Sequence, residues 1–302
     1  MALEEDLNAL TRLDQAPRLA ERIDAFLGDL IARDPGGRLA TRLISAFNDR
    51  LTTRVIELTA RRHRLPAVSW CWLALGSEGR HEQTFVSDQD NGLVFSAIGR
   101  DEAVALRELF VPFAQEVNRR LADCGFPLCR GEVMAGNPAW CLSLEEWRDR
   151  FIDWVRRPDP QALLNASIFF DLRPLYGDVD LAERLRSAVL SLTVDAPSFL
   201  HLMAANALNA PAPLNFRGEL VADGGDFGDE IDLKKFGTRI FVDAARIFAL
   251  AAGARAVNTS ARLHDAGLAA GLQAADIAAV EAAFAELLRE VTVLAGARHR
   301  GA

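Results

Sequence analysis

The sequence predicts an α+β protein, a small mixed-sheet core flanked by an N-terminal helical segment and a C-terminal helical bundle. Three observations carry this expectation. Two apolar runs of strand length, 68–75 and 92–95, stand close together across a polar connection. The stretch before them repeats its apolar residues at helical spacing. Nearly everything after residue 142 does the same, with capping and Pro/Gly signals between the repeats. The expected division is 1–65 (N-terminal helical segment), 66–155 (α/β core) and 156–302 (C-terminal helical domain).

In the N-terminal segment, Leu7, Leu10, Leu13 and Leu19, then Ile23, Phe26, Leu27 and Leu30, recur near helical spacing. Asp34-Pro35-Gly36-Gly37 breaks the pattern. A second helix over 39–62 turns Leu43, Ile44, Phe47, Leu51, Val55 and Leu58 inward. The segment carries no chemical constellation and reads as a packing layer, or as helices that dock a partner.

In the core, strands are expected at 68–75, 90–96 and 128–134. Between the last two, an amphipathic helix over 101–124 offers Val104, Leu106, Leu109, Phe110, Phe113 and Val117 for burial and ends at Gly125-Phe126-Pro127. The first strand stops at Gly76-Ser77, followed by Gly79-Arg80. Such a turn leaves backbone N–H groups to hold phosphate. If Asp88 to Phe95 is one strand, Asp88 and Asp90 project from the same face, because side chains alternate. Paired carboxylates of this kind suit a hard divalent cation. A phosphate turn beside a cation site suggests metal-assisted nucleotidyl transfer.

Beyond the core, Ser143-x-x-Glu146 is a capping box that opens a helix to about residue 155. Trp140 and Trp147 read as core. The stretch 156–160 is a linker, and a helix is expected over 162–178. Its end carries Asp171 and Arg173, which would be costly to bury unpaired. They are expected to form an internal ion pair or a helix-end contact, or to face a nucleotide. Helices follow at 181–192 and 197–208, then a Pro/Gly-rich loop over 210–229. The next helix opens with Asp232, Lys234 and Lys235, either a phosphate contact or a solvated first turn. A final amphipathic helix covers 274–294.

The net charge of −8 and pI of about 5.3 argue against broad nucleic-acid binding, which needs surplus Lys and Arg. The cysteines at 71, 124, 129 and 141 lack zinc-site spacing and read as reduced thiols. No apolar run approaches the ~20 residues of a membrane span. The acidic N-terminus lacks the features of a signal peptide. A cytoplasmic protein is the expectation.

The stretch GSEGRHEQTFVSDQDNGLVF resembles the signature of the DNA polymerase β-type nucleotidyltransferase superfamily. It is most similar to the nucleotidyltransferase family often associated with CBS domains in bacterial signalling proteins. That family is related to the PII-protein uridylyltransferase and glutamine synthetase adenylyltransferase. CRGEVMAGNPAWCLSLEEW, NASIFFDLRPLYGD and EIDLKKFGTRIFVDAARIFAL extend the resemblance over roughly 51–294.

The resemblance implies transfer of a nucleoside monophosphate from a nucleoside triphosphate to an acceptor hydroxyl. The acceptor is a regulatory protein in the related enzymes. It also implies Mg²⁺ or Mn²⁺ held by Asp88 and Asp90, with Glu132 or Asp171 as the third carboxylate. Gly76 and Ser77 would hold the β- and γ-phosphates, and Gly79 would permit close approach. Arg80 would offset phosphate charge or pair with Asp88 or Glu82. Arg173, Asp232, Lys234 and Lys235 would meet the triphosphate or the acceptor. The chain carries no CBS domain, so regulation would come from such a partner in another chain or from residues 1–65. The alternative is a catalytically weak or inactive nucleotide-binding sensor.

Overall fold

Four strands form a mixed sheet whose two faces are both covered by helices. The structure, a computed structural model, describes residues 2–33, 36–85, 87–209, 217 and 231–301. The strands are β1 (Trp70–Ala74), β2 (Asn91–Phe95), β3 (Cys141–Ser143) and β4 (Arg173–Gly177), ordered β3-β2-β1-β4. β1 is antiparallel to β2 and β4, and β2 is parallel to β3. Helices α1 (Ala2–Ala9), α2 (Ala16–Ile31) and α3 (Gly37–Ala60) precede the sheet, and α4 (Gly76–Gly79) and α5 (Gly99–Asp123) interrupt it. α6 (Leu144–Arg156) and α7 (Pro160–Phe169) precede β4. α8 (Val179–Val194), α9 (Pro197–Leu208), α10 (Arg239–Ala252), α11 (Thr259–Ala269) and α12 (Ala274–Gly301) follow it. α12 returns across the molecule to pack on α3.

The strand sequences explain the two-sided burial. Along β1, Trp72 enters one core with Leu93 and Phe95 of β2, Phe110 and Phe113 of α5, and Val55 of α3. Cys71 and Leu73 point the other way, into a core with Trp147, Phe151, Trp154, Phe169 and Leu185. With both faces buried, the strands read as continuous apolar runs rather than alternating ones. Trp140 and Trp147 belong to the second core. The Trp140 ring lies 4.3 Å from Phe169, and the Trp147 indole N–H donates to the Leu93 carbonyl at 3.0 Å.

Two elements differ from the expectation. The segment 128–134 is a loop, in which Glu132 takes a positive φ of 55° that breaks any extended run. Two backbone bonds still tie its ends to the approach of β2, from the Gln89 N–H to the Pro127 carbonyl at 2.9 Å and from the Asn91 N–H to the Val133 carbonyl at 3.1 Å, and side-chain amides hold the residues just after it. Asn118 Nδ2 donates to Asn91 at 3.0 Å, and Asn91 Oδ1 also accepts the Ala135 N–H at 2.8 Å. Asn118 Oδ1 accepts the Gly136 N–H at 2.9 Å. The parallel neighbour of β2 is instead the short β3.

The helix expected over 162–178 ends at Phe169, and β4 follows. Pro174 cannot continue a helix but is tolerated on an edge strand, as β4 is. The sheet therefore takes its outer strand from beyond residue 156, in the stretch read as almost entirely helical. The capping box is present: Ser143 Oγ accepts the Glu146 N–H at 3.3 Å, and Glu146 accepts the Ser143 N–H at 2.9 Å. The loop expected over 210–229 lies outside the described residues apart from Arg217, as do Asp34 and Pro35.

Candidate active site

The pairing of β1 with β2 builds the site. Ala74 lies opposite Asn91, and the ladder extends one step as the Leu75 N–H donates to the Asp90 carbonyl at 2.9 Å. Gly76 thereby lands against the Asp90 side chain. A Cβ on Gly76 would stand 2.8 Å from Asp90 Oδ2, and its φ of 53° also favours glycine. The chain then turns through α4, whose first N–H groups have no intrahelical partner. The strand itself begins at Asn91, so Asp88 and Asp90 lie on the approach to it. They keep the alternation: Asp88 is exposed, Asp90 half-buried, and Gln89 between them is buried. Gln89 points into the fold, where it donates to the carbonyls of Asn118 at 3.0 Å and Phe126 at 2.9 Å.

Burial pushes the Asp90 carboxyl up to about 6. The neighbouring Asp88 charge pushes the same way, while the Cys129 thiol, Lys234 and Arg80 pull it back. The structure thus gathers Gly76, Asp88, Asp90, Arg80, Cys129 and Lys234 around one turn. The other three cysteines are buried, their thiols pushed up to about 12 by desolvation.

Lys234 and Lys235 are exposed and sit in a π-turn, Lys234–Thr238, that leads into α10. Asp232 shapes this turn. One of its oxygens accepts the N–H groups of Lys234 at 2.9 Å and Lys235 at 3.0 Å. Lys235 lies over the neighbouring Phe236 ring at 4.6 Å.

Arg173 supports the turn from the α3 side. It donates to Asp49 at 2.9 Å and to the Glu78 carbonyl at 3.1 Å. Glu78, on α4, is buried within electrostatic reach of Asp49, Arg173 and Asp90. Desolvation, then the charge of Asp49, pushes its carboxyl up to about 8 against the pull of Arg173. Its folded value lies above the ordinary 4.5. The stability gained from keeping the proton is therefore complete below about pH 4.5 and is lost as pH rises through about 8. Glu78→Gln removes this dependence. Its Tm should gain on that of the wild type as buffers go from about pH 5 to about pH 9, with little difference at the acid end. Parallel Tm profiles would contradict this.

Asp171 is fully buried and ringed by guanidinium groups. Arg246 donates to both oxygens, at 3.0 and 2.7 Å, Arg80 donates at 2.5 Å, and Arg262 donates as well. Burial alone would raise the Asp171 carboxyl, but Arg246, Arg262 and Arg80 hold it well below the usual carboxylate range. Arg80 also donates to Glu82 at 2.7 Å, one of the partners expected for it. A methyl group on Gly79 would overlap the Asp171 carbonyl oxygen, so the bareness of Gly79 is filled by protein packing.

Glu132 is exposed on the loop before β3. Among the described residues, no group of three or more His, Cys, Asp or Glu side chains is placed to hold a metal ion. Neither Glu132 nor Asp171 therefore completes a three-carboxylate cluster with Asp88 and Asp90. Sequence reasoning missed Glu78, Asp49, Cys129, Arg246 and Arg262. Glu78 carried a signal, since it stands inside the glycine turn. The arginines carried none, being distant in sequence from the carboxylate they bind.

Comparison with known families gives two matches. Residues 21–161 match the family described as Putative nucleotidyltransferase DUF294, and residues 197–293 match Putative nucleotidyltransferase substrate binding domain. A search of curated proteins finds no match. The two models together cover most of the sequence, and they meet a mixed-sheet core with paired aspartates beside a glycine turn: the chain belongs to the family described as Putative nucleotidyltransferase DUF294.

Proposed function

We propose that this protein is a metal-dependent nucleotidyltransferase that moves a nucleoside monophosphate from a nucleoside triphosphate to an acceptor hydroxyl. The observation that carries the reading is the contact of Gly76 with Asp90, which brings a phosphate-type turn and two carboxylates to one place. Asp88 and Asp90 fit a divalent cation. They are acidic neighbours, and the Asp88 charge adds to the cost of ionising the half-buried Asp90. Asp88 and Asp90 would hold a Mg²⁺ or Mn²⁺ ion, which would supply charge stabilisation to the transfer.

The chain's own residues do the rest. Gly76 and Ser77 present backbone N–H groups, and the Ser77 hydroxyl, to the β- and γ-phosphates. Lys234 and Lys235 offer mobile point charges to the same phosphates. Asp232 holds their backbone in place. Arg80 and Arg173 brace the turn through Glu82, Asp171 and Asp49. The acceptor approaches from the side of α9–α12, which match the substrate-binding model. A regulatory protein, as in the uridylyl- and adenylyltransferases, is the acceptor class we favour.

A second reading, a nucleotide-binding sensor without turnover, draws on the engagement of Asp171 by three arginines and the exposed position of Glu132. One experiment separates the two. Purified protein is incubated with each α-³²P-labelled triphosphate, Mg²⁺ or Mn²⁺, and an extract of its host. A labelled product made by the wild type, and not by the Asp88→Asn/Asp90→Asn variant, supports transfer and reveals the base. Triphosphate binding by calorimetry with no labelled product turns the assignment to the sensor.

A further inference from the structure

The ion cluster at Asp171 joins pieces of chain that the sequence keeps far apart. Arg80 leaves α4 directly and divides its guanidinium between Glu82 at 2.7 Å and Asp171 at 2.5 Å. Asp171, at the corner before β4, is held in turn by Arg246 of α10 and Arg262 of α11. Arg246 is braced by Asp243 at 2.6 Å, and Arg262 by the carbonyls of Ala256 at 2.9 Å and Phe170 at 3.1 Å. A second arm runs through Glu82. It accepts the Thr259 N–H at 2.7 Å, the Thr259 hydroxyl at 3.0 Å and Asn258 Nδ2 at 3.2 Å. Asn258 also donates to the Arg80 carbonyl at 3.0 Å. The N-terminus of α11 and the middle of α10 thus grip the turn that follows β1.

Such a cluster is a poor source of stability. Desolvating each ion costs on the order of several kcal/mol, and apolar packing of equal volume often serves as well. What it supplies is one geometry, because each guanidinium is a rigid planar fork. α10 is also entered through the π-turn that brings Lys234 within electrostatic reach of Asp90.

We propose that Arg246 and Arg262 are positioning residues of the nucleotidyl site. Acting through Asp171 and Arg80, they fix the Gly76–Gly79 turn against Asp90 and set where the π-turn holds Lys234. The functional meaning rests on the nucleotidyltransferase reading, but the coupling itself does not need it.

Amide hydrogen exchange on the full chain tests the coupling. Four amides of the turn are hydrogen-bonded within it: Gly79 to Leu75, Arg80 to Gly76, His81 to Glu78 and Glu82 to Ser77. In Arg262→Gln, peptides spanning 76–82 should exchange about tenfold faster than in wild type while β2 and α5 peptides are unchanged. Arg262→Lys should fall between the two, and the Kd for triphosphate should rise in the same order. If Arg262→Gln does not fold, Thr259→Val loosens the second arm by one hydroxyl and carries the same expectation at smaller size. Unchanged exchange at 76–82, or equal acceleration across every peptide, overturns the proposal. Exchange is read without nucleotide. A loosened turn in a protein that transfers nothing counts only against the transferase reading, and active protein with an unmoved turn counts only against the positioning role.

Discussion

Asp171→Ala should lose its cooperative folding transition, or keep one far weaker than the wild type. The substitution removes the acceptor for three guanidinium groups in a region without solvent. Arg80 would still have Glu82, and Arg246 would still have Asp243. Arg262 would keep only backbone carbonyls, so a full positive charge would stay buried without a counterion. Breaking a buried pair by deleting one partner costs about 3–5 kcal/mol. That is a large part of the ~5–15 kcal/mol that holds a typical domain together. Denaturant unfolding followed by circular dichroism measures it. An unfolding free energy within about 1 kcal/mol of the wild type would show that the arginines find other partners. Asp171→Asn, which keeps the shape and some acceptor capacity, should fall between.

Asp90→Asn should do the opposite, removing activity and sparing the fold. The carboxylate is half-buried and its ionised form is disfavoured there. An amide of the same shape gives up a desolvated charge, so Tm should hold or rise. The loss falls on transfer. A cation that stabilises the transition state by several kcal/mol implies a drop of about a thousandfold or more when its ligand is removed. The check is kcat/KM for the labelled product beside a thermal melt. Turnover above about a tenth of wild type, from a variant that melts normally, would sink the assignment of Asp90 as a metal ligand.

The parts of the fold that were legible are those whose signal is local. β1 and β2 announced themselves as apolar runs because both faces are buried. α3, α5, α8 and α9 lie close to the helices expected over 39–62, 101–124, 181–192 and 197–208. The capping box at Ser143 marked the start of α6. β3 has only three residues, too few to show a period. β4 was hidden by the apolar helix just before it, although Pro174 was a stop signal in plain view. The loop over 128–134 read as a strand because the positive φ of Glu132 and the side chains of Asn91 and Asn118, which hold Ala135 and Gly136 just after it, leave no local signal. The same divide runs through the site. The Gly76 turn and the Asp88/Asp90 pair of the candidate site could be picked out because a turn and an Asp-x-Asp pattern are local, and the fold brings Gly76 against Asp90. The partners of Asp171 are assembled by the fold, and no spacing rule points from Asp171 to Arg246 or Arg262.

The π-turn before α10 has a practical consequence. Lys234 and Lys235 are the only lysines in the sequence; its other basic side chains are arginine and histidine. Both are exposed. Apart from the terminal amine, an amine-directed dye or crosslinker therefore has one place to go. The native protein carries its own labelling address, within electrostatic reach of the Asp90 carboxylate, which the Lys234 charge pulls down. A fluorophore placed there would report what arrives beside Asp90 without an engineered residue.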